Sequence, residues 1–269
     1  MPPLRDTGPG PAWLRRAWAA EAAARPLVPV RLRRAAGVLL AACLTVVTVL
    51  AVLFAGHSAP DRFDAAVDAA IRSGIGAHVA LLESLSRFGD RPLVTVLTAA
   101  LVLGCAAARR WRGAVLAAVA VPVASGLAEL VLKHIIGRTL HGWLTYPSGH
   151  ATCTFALALI STILLAAPAR PRLPRTVRRL LMLAAFVLAA AVSVGMVGLG
   201  LHYVTDIVGG AALGTGTVLG VALLLDAACT SRPSRAGRPV RAAQPADAAV
   251  PPRATGPDAA REAGGPLPG

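Results

Sequence analysis

Residues 199–225 read LGLHYVTDIVGGAALGTGTVLGVALLL, a short polar sequence that runs directly into a long apolar one. The hydrocarbon core of a bilayer is about 30 Å thick and needs roughly 20 apolar helical residues, because lipid cannot satisfy an exposed backbone. The stretch therefore predicts a transmembrane helix over 206–225 that begins beside a polar loop. Its small residues form a face suited to close helix packing, namely Gly210, Gly214, Gly216 and Gly220.

Five further segments of the 269-residue chain have the same character, and 55% of all residues are apolar. They are residues 35–56, 92–108, 113–132, 149–167 and 180–201, of which 92–108 and 149–167 are short enough to need flanking residues. The sequence thus predicts an all-α integral membrane bundle of six helices over residues 35–226. We expect a basic segment before it, 1–34, and a disordered tail rich in Pro, Ala, Gly and Arg after it, 227–269.

The 27 Lys and Arg residues predict the orientation of the bundle, because cytoplasmic loops retain positive charge. Most of them lie before the first helix, in the second and fourth connections, or in the tail. Both termini are therefore expected in the cytoplasm, and the third and fifth connections face outward. The net charge of +14 does not indicate nucleic acid, because long apolar runs separate the basic residues and no soluble basic face results.

Residues 61–89 precede the second apolar segment and mix apolar with polar side chains. This pattern is typical of one or two amphipathic helices, which we expect on the outer surface of the bundle. A packing role is the interpretation that we favour for them.

The first outward loop ends in Pro147-Ser148-Gly149-His150, at the predicted start of the fourth membrane helix. A Ser hydroxyl and the free N–H groups of a helix start can together hold an anion such as phosphate. The alternative is that Pro-Ser-Gly is only a turn and an N-cap. Earlier in the loop lies Lys133, the one lysine of the chain, with Glu129 one helical turn before it and able to pair with it.

The second outward loop contains His202 and Asp206, four residues apart. In a helix they share a face, so the carboxylate can accept a hydrogen bond from one ring nitrogen and leave the other nitrogen free to attack. The alternative is a histidine and an aspartate that cap a helix at the membrane surface. The presence of two such loops on one face of the membrane favours a catalytic site.

Three motifs in fixed order carry a family resemblance: Lys133, then Pro147-Ser148-Gly149-His150, then Leu199-Gly200-Leu201-His202-Tyr203-Val204-Thr205-Asp206. On six apolar helices, this arrangement resembles the type 2 phosphatidic acid phosphatase superfamily. The resemblance covers roughly residues 92–226.

The resemblance implies that His202 is a nucleophile that forms a phosphohistidine, that Asp206 orients it, and that His150 protonates the leaving oxygen. It also implies a set of residues that bind the phosphoryl oxygens without a metal or other cofactor: Lys133, Ser148 and Gly149.

The chain departs from the family pattern at two positions where relatives carry arginine. The family's first motif has Arg-Pro where this chain has Leu140-His141, and its third begins Ser-Arg where this chain has Gly195-Met196. Arg138 lies two residues before the first position and could reach the phosphate from a flexible loop. We therefore include Arg138 among the predicted phosphate-binding residues.

The function predicted from these residues is a phosphatase of lipid phosphates at the outer face of the cell membrane. Phosphatidic acid, phosphatidylglycerophosphate and polyprenyl phosphates or diphosphates all fit as substrates. A catalytically silent relative that binds anionic headgroups is the first alternative, supported by the two missing arginines. A lipid-linked phosphotransferase is the second.

Overall fold

The structure, a computed structural model, describes residues 26–166 and 173–230. Most of the predicted basic segment 1–34 and of the predicted tail 227–269 lies outside the described residues. Within those residues the chain is helical apart from one small hairpin. The helices are α1 (Arg33–Phe54), α2 (Arg62–Ile75), α3 (Val79–Ser86), α4 (Arg91–Ala107), α5 (Trp111–Ile136), α6 (Gly149–Ala166), α7 (Arg175–Gly198) and α8 (Val204–Thr230).

In the described ranges, five helices are long and apolar enough to cross a bilayer: α1, α5, α6, α7 and α8. Helix α4 is also apolar but has 17 residues, and it coincides with the predicted short segment 92–108. We assign the sixth crossing to α4 together with its flanking residues. The predicted all-α membrane bundle is confirmed, with each of the six helices near its predicted position.

The outer segment forms two helices, α2 and α3, with a bend of 114° between them. Both pack against α7. Leu82 of α3 is 3% exposed and lies over Gly198, where a Cβ would approach its side chain to 2.9 Å. The predicted packing role is confirmed, although α2 also buries two carboxylates, as described below.

Helix α8 lies at the centre of the bundle, in contact with α1, α5 and α6. Its close approach to α6 depends on two of the predicted small residues. A Cβ on Gly210 would collide with the Ser148 carbonyl oxygen, and one on Gly214 would collide with the Thr152 backbone. Gly220 differs, because no described atom lies within 4 Å of a Cβ built there. The small-residue face is thus confirmed toward α6 at two positions.

An ion cluster closes the end of the bundle where α8 finishes. The carboxylate of Asp226 is 3% exposed and bonds to the Arg112 guanidinium at the start of α5. It also accepts from the backbone N–H groups of Leu27 and Val28 at 3.0 and 2.9 Å, and Arg33 lies 3.8 Å away. Asp226 therefore holds the starts of α1 and α5 and the end of α8 together.

The opposite end contains the connection between α5 and α6. Helix α5 ends at Gly137, whose φ of +65° is the left-handed conformation that favours glycine at a helix C-terminus. Strands β1 (Thr139–Leu140) and β2 (Trp143–Leu144) then pair antiparallel, with Thr139 opposite Leu144. This hairpin replaces the flexible loop expected around Arg138. The fold is therefore a helical bundle with one two-residue ladder.

Candidate active site

A groove of about 760 Å³ lies between α4 and α5 and runs along both helices. At its polar end lie residues from three helices, the turn before α4 and the loop before α8: Asp90, Arg91, Glu129, Lys133, Gly149, His150 and His202. Farther along, its walls are mainly apolar, with Val94, Ala99, Val102, Leu103, Val121 and Pro122. The groove thus joins a charged end to an apolar channel.

The groove brings together four of the seven predicted site residues: Lys133, Gly149, His150 and His202. These four are separated by up to 69 positions in the sequence, from 133 to 202. The other three, Arg138, Ser148 and Asp206, are fully buried and are not among the residues that line it. Four of the predicted site residues thus lie at the groove surface, and the other three lie behind it.

His202 and Asp206 lie side by side at the start of α8, as their spacing predicted. Nδ1 of His202 is 3.5 Å from Oδ2 of Asp206, and this nitrogen is buried without a hydrogen-bond partner in the described part of the chain. Catalytic contacts are often long in a free enzyme and shorten when substrate binds. Because Nδ1 faces the carboxylate, Nε2 is the ring nitrogen left for the groove.

Asp206 is held in place by three groups besides the histidine. Its Oδ1 accepts a hydrogen bond from Arg138 Nη1 at 2.6 Å, and its Oδ2 accepts one from the Tyr203 N–H at 3.1 Å. Its backbone oxygen accepts from the Ser148 N–H at 3.0 Å. This last bond ties the start of α6 to the start of α8, so the two predicted motifs are physically joined.

Arg138 does not reach into the groove. Its guanidinium is fully buried and donates to Asp64 of α2 as well as to Thr205, 2.7 Å away, and Asp206. Its two faces stack on the rings of Phe54 and Tyr203, 4.0 and 4.3 Å from the ring centres. In this structure Arg138 thus lies behind the groove, where Nη1 and Nη2 donate to Asp64, Thr205 and Asp206. Its predicted role as a phosphate ligand stays a prediction.

Helix α2 supplies two carboxylates that secure the start of α8. Asp64 accepts from both the N–H and the hydroxyl of Thr205, at 3.0 and 2.8 Å, and Asp68 accepts from the Val204 N–H at 3.1 Å. Both carboxylates are at most 1% exposed. Burial raises the pKa of Asp68 to about 6, and the negative charges of Asp64 and Asp206 act in the same direction.

His150 is held from the opposite wall by the turn that precedes α4. Its Nε2 is 3.1 Å from Oδ1 of Asp90. Gly89 packs directly on the ring, because a Cβ there would lie 2.5 Å from a ring carbon. The carboxylate and the glycine together fix the orientation of the imidazole at the groove surface.

Lys133 forms the predicted ion pair with Glu129, with Nζ and Oε1 2.8 Å apart. Glu129 lies in a π-helical segment of α5, Leu127–Leu132, that ends immediately before Lys133. Its second oxygen accepts from Arg91 Nη2 at 3.2 Å. One carboxylate therefore joins two cations from two different helices at the polar end of the groove.

Ser148 acts as an N-cap of α6, since its hydroxyl accepts from the Ala151 N–H at 3.4 Å. It is fully buried, whereas Gly149 is exposed to the groove. Any side chain at Gly149 would collide with the carboxylate of Glu129. The structure shows Ser148 as a turn and N-cap residue. Of the two predicted phosphate-binding residues at this helix start, Gly149 alone is among the residues that line the groove.

Sequence reasoning missed the contributions of Asp64, Asp68, Asp90 and Arg91. All four lie in the outer segment or directly after it, 59 or more positions before His150, and no short-range pattern connects them to the motifs. The available signal was the concentration of acidic residues between Asp61 and Asp90, which is unusual in so apolar a chain. In the described residues, no group of three or more His, Cys, Asp or Glu side chains could hold a metal ion.

The fold and the groove define a multi-pass membrane protein whose charged site opens onto an apolar channel. The family model of the PAP2 superfamily matches residues 131–228, which contain all three predicted catalytic residues. Residues 131–228 of the chain are thus similar to the PAP2 superfamily.

A solved structure supports the shared fold. The crystal structure of the transmembrane PAP2-type phosphatidylglycerolphosphate phosphatase from Bacillus subtilis superposes with a TM-score of 0.56. The two sequences are 20% identical, and the match covers 69% of this chain and 94% of the other. A comparison with curated proteins gives no match.

Proposed function

We propose that this protein is a membrane phosphatase that hydrolyses a phosphomonoester or diphosphate of a lipid through a phosphohistidine intermediate. One observation carries the proposal: two histidines meet at the polar end of a groove whose remaining walls are mainly apolar. A lipid can place its chain along α4 and α5 while its phosphate lies against His202. A water-soluble phosphate ester would gain nothing from such a channel.

In the proposed reaction, Nε2 of His202 attacks the phosphorus, and the bond between phosphorus and the lipid oxygen breaks. The leaving oxygen takes a proton from His150, which Asp90 orients. Asp206 supports the positive charge that develops on His202, and Arg138 holds Asp206 in position. Water then attacks the phosphohistidine with His150 as base, releasing phosphate and restoring both histidines.

We further propose that the site faces outward and that both termini are cytoplasmic. Support comes from the charge distribution and from the arrangement of the helices, since the groove's polar end and the Asp226 cluster lie at opposite ends of α5 and α8. Three lipid classes remain as substrates: phosphatidic acid, phosphatidylglycerophosphate and polyprenyl phosphates. The Bacillus subtilis protein of similar fold is described as a phosphatidylglycerolphosphate phosphatase, so that lipid belongs in the first test.

The test uses the purified full-length protein in detergent, with a chelator present, against a panel of these lipids. We expect phosphate release and an acid-labile, alkali-stable phosphoprotein during turnover. His202→Ala should lose both signals, with activity reduced by about 10⁴-fold or more because the nucleophile is absent. Phosphate release that requires an added metal would contradict the metal-independent mechanism.

His134→Ala is the matched control, because His134 is exposed and lies outside the groove lining. It should retain parental activity. If the parent releases no phosphate from any lipid but binds vesicles of anionic lipid, the protein is a catalytically silent headgroup-binding relative. If a second lipid or an alcohol receives the phosphoryl group in place of water, it is a phosphotransferase.

A further inference from the structure

The polar end of the groove holds an internal carboxylate in a position where an anionic substrate must bind. Glu129 bridges Lys133 at 2.8 Å and Arg91 at 3.2 Å, and its carboxylate lies directly against Gly149 at the start of α6. Its side chain is 21% exposed, so it reaches the groove rather than the protein core. In the free protein, the Glu129 carboxylate therefore accepts the hydrogen bonds that Lys133 and Arg91 could donate to a bound anion.

Arg91 is the one arginine among the residues that line the groove in the described part of the chain. Arg138 is bonded elsewhere, and Leu140 and Met196 carry no charge. The side chain of Arg91 is 81% exposed and extends from the first turn of α4, so it can change direction without disturbing the packed core. A guanidinium can donate two parallel hydrogen bonds to a carboxylate or to a phosphoryl group.

We propose that Arg91 and Lys133 together bind the phosphoryl group, and that Glu129 occupies their donors until a substrate displaces it. This inference rests on the proposed function and adds Arg91 and Glu129 to its site. Carboxylate and phosphoryl oxygens compete for the same donors, and a phosphoryl group carries more charge and a third oxygen. Glu129 therefore lowers the affinity for every anion, and a terminal phosphate, with its higher charge and third oxygen, is the ligand best able to displace it.

A simpler interpretation is that Glu129 only ties α4 to α5 and aligns Lys133. The two interpretations predict opposite changes in phosphate affinity when Glu129 loses its charge. If Glu129 competes with phosphate, removing its charge strengthens phosphate binding. If Glu129 only aligns the cations, removing its charge weakens phosphate binding.

The experiment measures binding of inorganic phosphate to the full-length protein in detergent, by calorimetry or phosphorus NMR. We expect Arg91→Gln to weaken binding about tenfold, since a charge-assisted bond is lost at an exposed position. Glu129→Gln should strengthen binding several-fold. Arg87→Gln is the matched control, because Arg87 is exposed one turn before Arg91 but lies outside the groove lining, and it should bind phosphate like the parent.

Unchanged binding in Arg91→Gln, or weaker binding in Glu129→Gln, would overturn the inference. Thermal unfolding of each variant checks that the protein is folded. If Glu129→Gln is unstable, the Arg91→Gln measurement still tests the inference, because Arg91 is exposed. The inference and the proposed function fail separately. Lipid hydrolysis that is unaffected by Arg91→Gln rejects the inference alone, whereas phosphate binding with these expected changes but no lipid hydrolysis rejects the phosphatase alone.

Discussion

Arg138 shows how a single buried side chain determines the geometry of the candidate catalytic pair. Its planar guanidinium bonds Asp64, Thr205 and Asp206 simultaneously while both faces contact aromatic rings. An ammonium group has neither this planar fork nor its faces. Removing the Arg138 guanidinium or one of the carboxylates it binds leaves a buried charge without its partner. The loss of folding stability is then far larger than the loss of an exposed ion pair would cause.

We expect Arg138→Gln to destabilise the protein by roughly 3–5 kcal/mol, because Asp64 and Asp206 would stay buried without their cation. Asp64→Asn should destabilise it in the same direction, by roughly 1–3 kcal/mol. The measurement is thermal or denaturant-induced unfolding in detergent. Arg62→Gln, at an exposed position at the start of α2, is the control. A phosphate-binding Arg138 would instead make Asp64→Asn neutral.

At the level of elements, the contact between α6 and α8 brings together the two motifs that contain His150 and His202. The helices approach so closely that Gly210 and Gly214 contact the backbone of α6. The hydrogen bond from the Ser148 N–H to the Asp206 carbonyl then sets the relative position of the two helix starts. A shift between these helices would separate His150 from His202.

Gly214→Ala should destabilise the bundle by roughly 1–3 kcal/mol and reduce activity, because the added methyl group collides with the Thr152 backbone, which cannot move aside independently. Gly220→Ala on the same helix should leave stability unchanged or raise it by up to about 1 kcal/mol, since alanine is the better helix former and the site is open. Unfolding midpoints of the two variants provide the comparison. Equal effects would show that α6 and α8 do not pack as described.

At the level of the whole molecule, the two ends of the bundle differ in composition and role. One end contains the Asp226 cluster, which fastens the starts of α1 and α5 to the end of α8. The other contains the hairpin, helices α2 and α3, and the polar end of the groove. The positive-inside rule predicts that the Asp226 end faces the cytoplasm.

Cysteine accessibility tests this orientation. A cysteine at Trp143, which is 78% exposed in the hairpin, should react from outside the cell with a membrane-impermeant thiol reagent. A cysteine at Leu173, 45% exposed before α7, should react only after the membrane is permeabilised. The parent protein, which has four cysteines, provides the background, and Cys43, Cys105 and Cys153 among them are buried. The reverse labelling pattern would place the site on the cytoplasmic side.

Composition and residue spacing were enough to predict the membrane bundle, the approximate helix positions, the Glu129–Lys133 pair and the proximity of His202 to Asp206. These features depend on composition and on spacing within one helix, which are local properties of the chain. The same local signals placed His150 and Lys133 at the site, although their meeting with His202 required the helices to pack.

The contacts of Arg138, Asp64, Asp90 and Arg91 could not be predicted from the sequence and became visible in the packed helices. The contacts described for them above join residues 38 to 141 positions apart. A long arginine side chain can reach several partners, and the choice between the groove and the buried carboxylates depends on where α2 packs. The packing of α2 depends on how its side chains fit against α7 and α8, and no repeating pattern in the sequence predicts that fit.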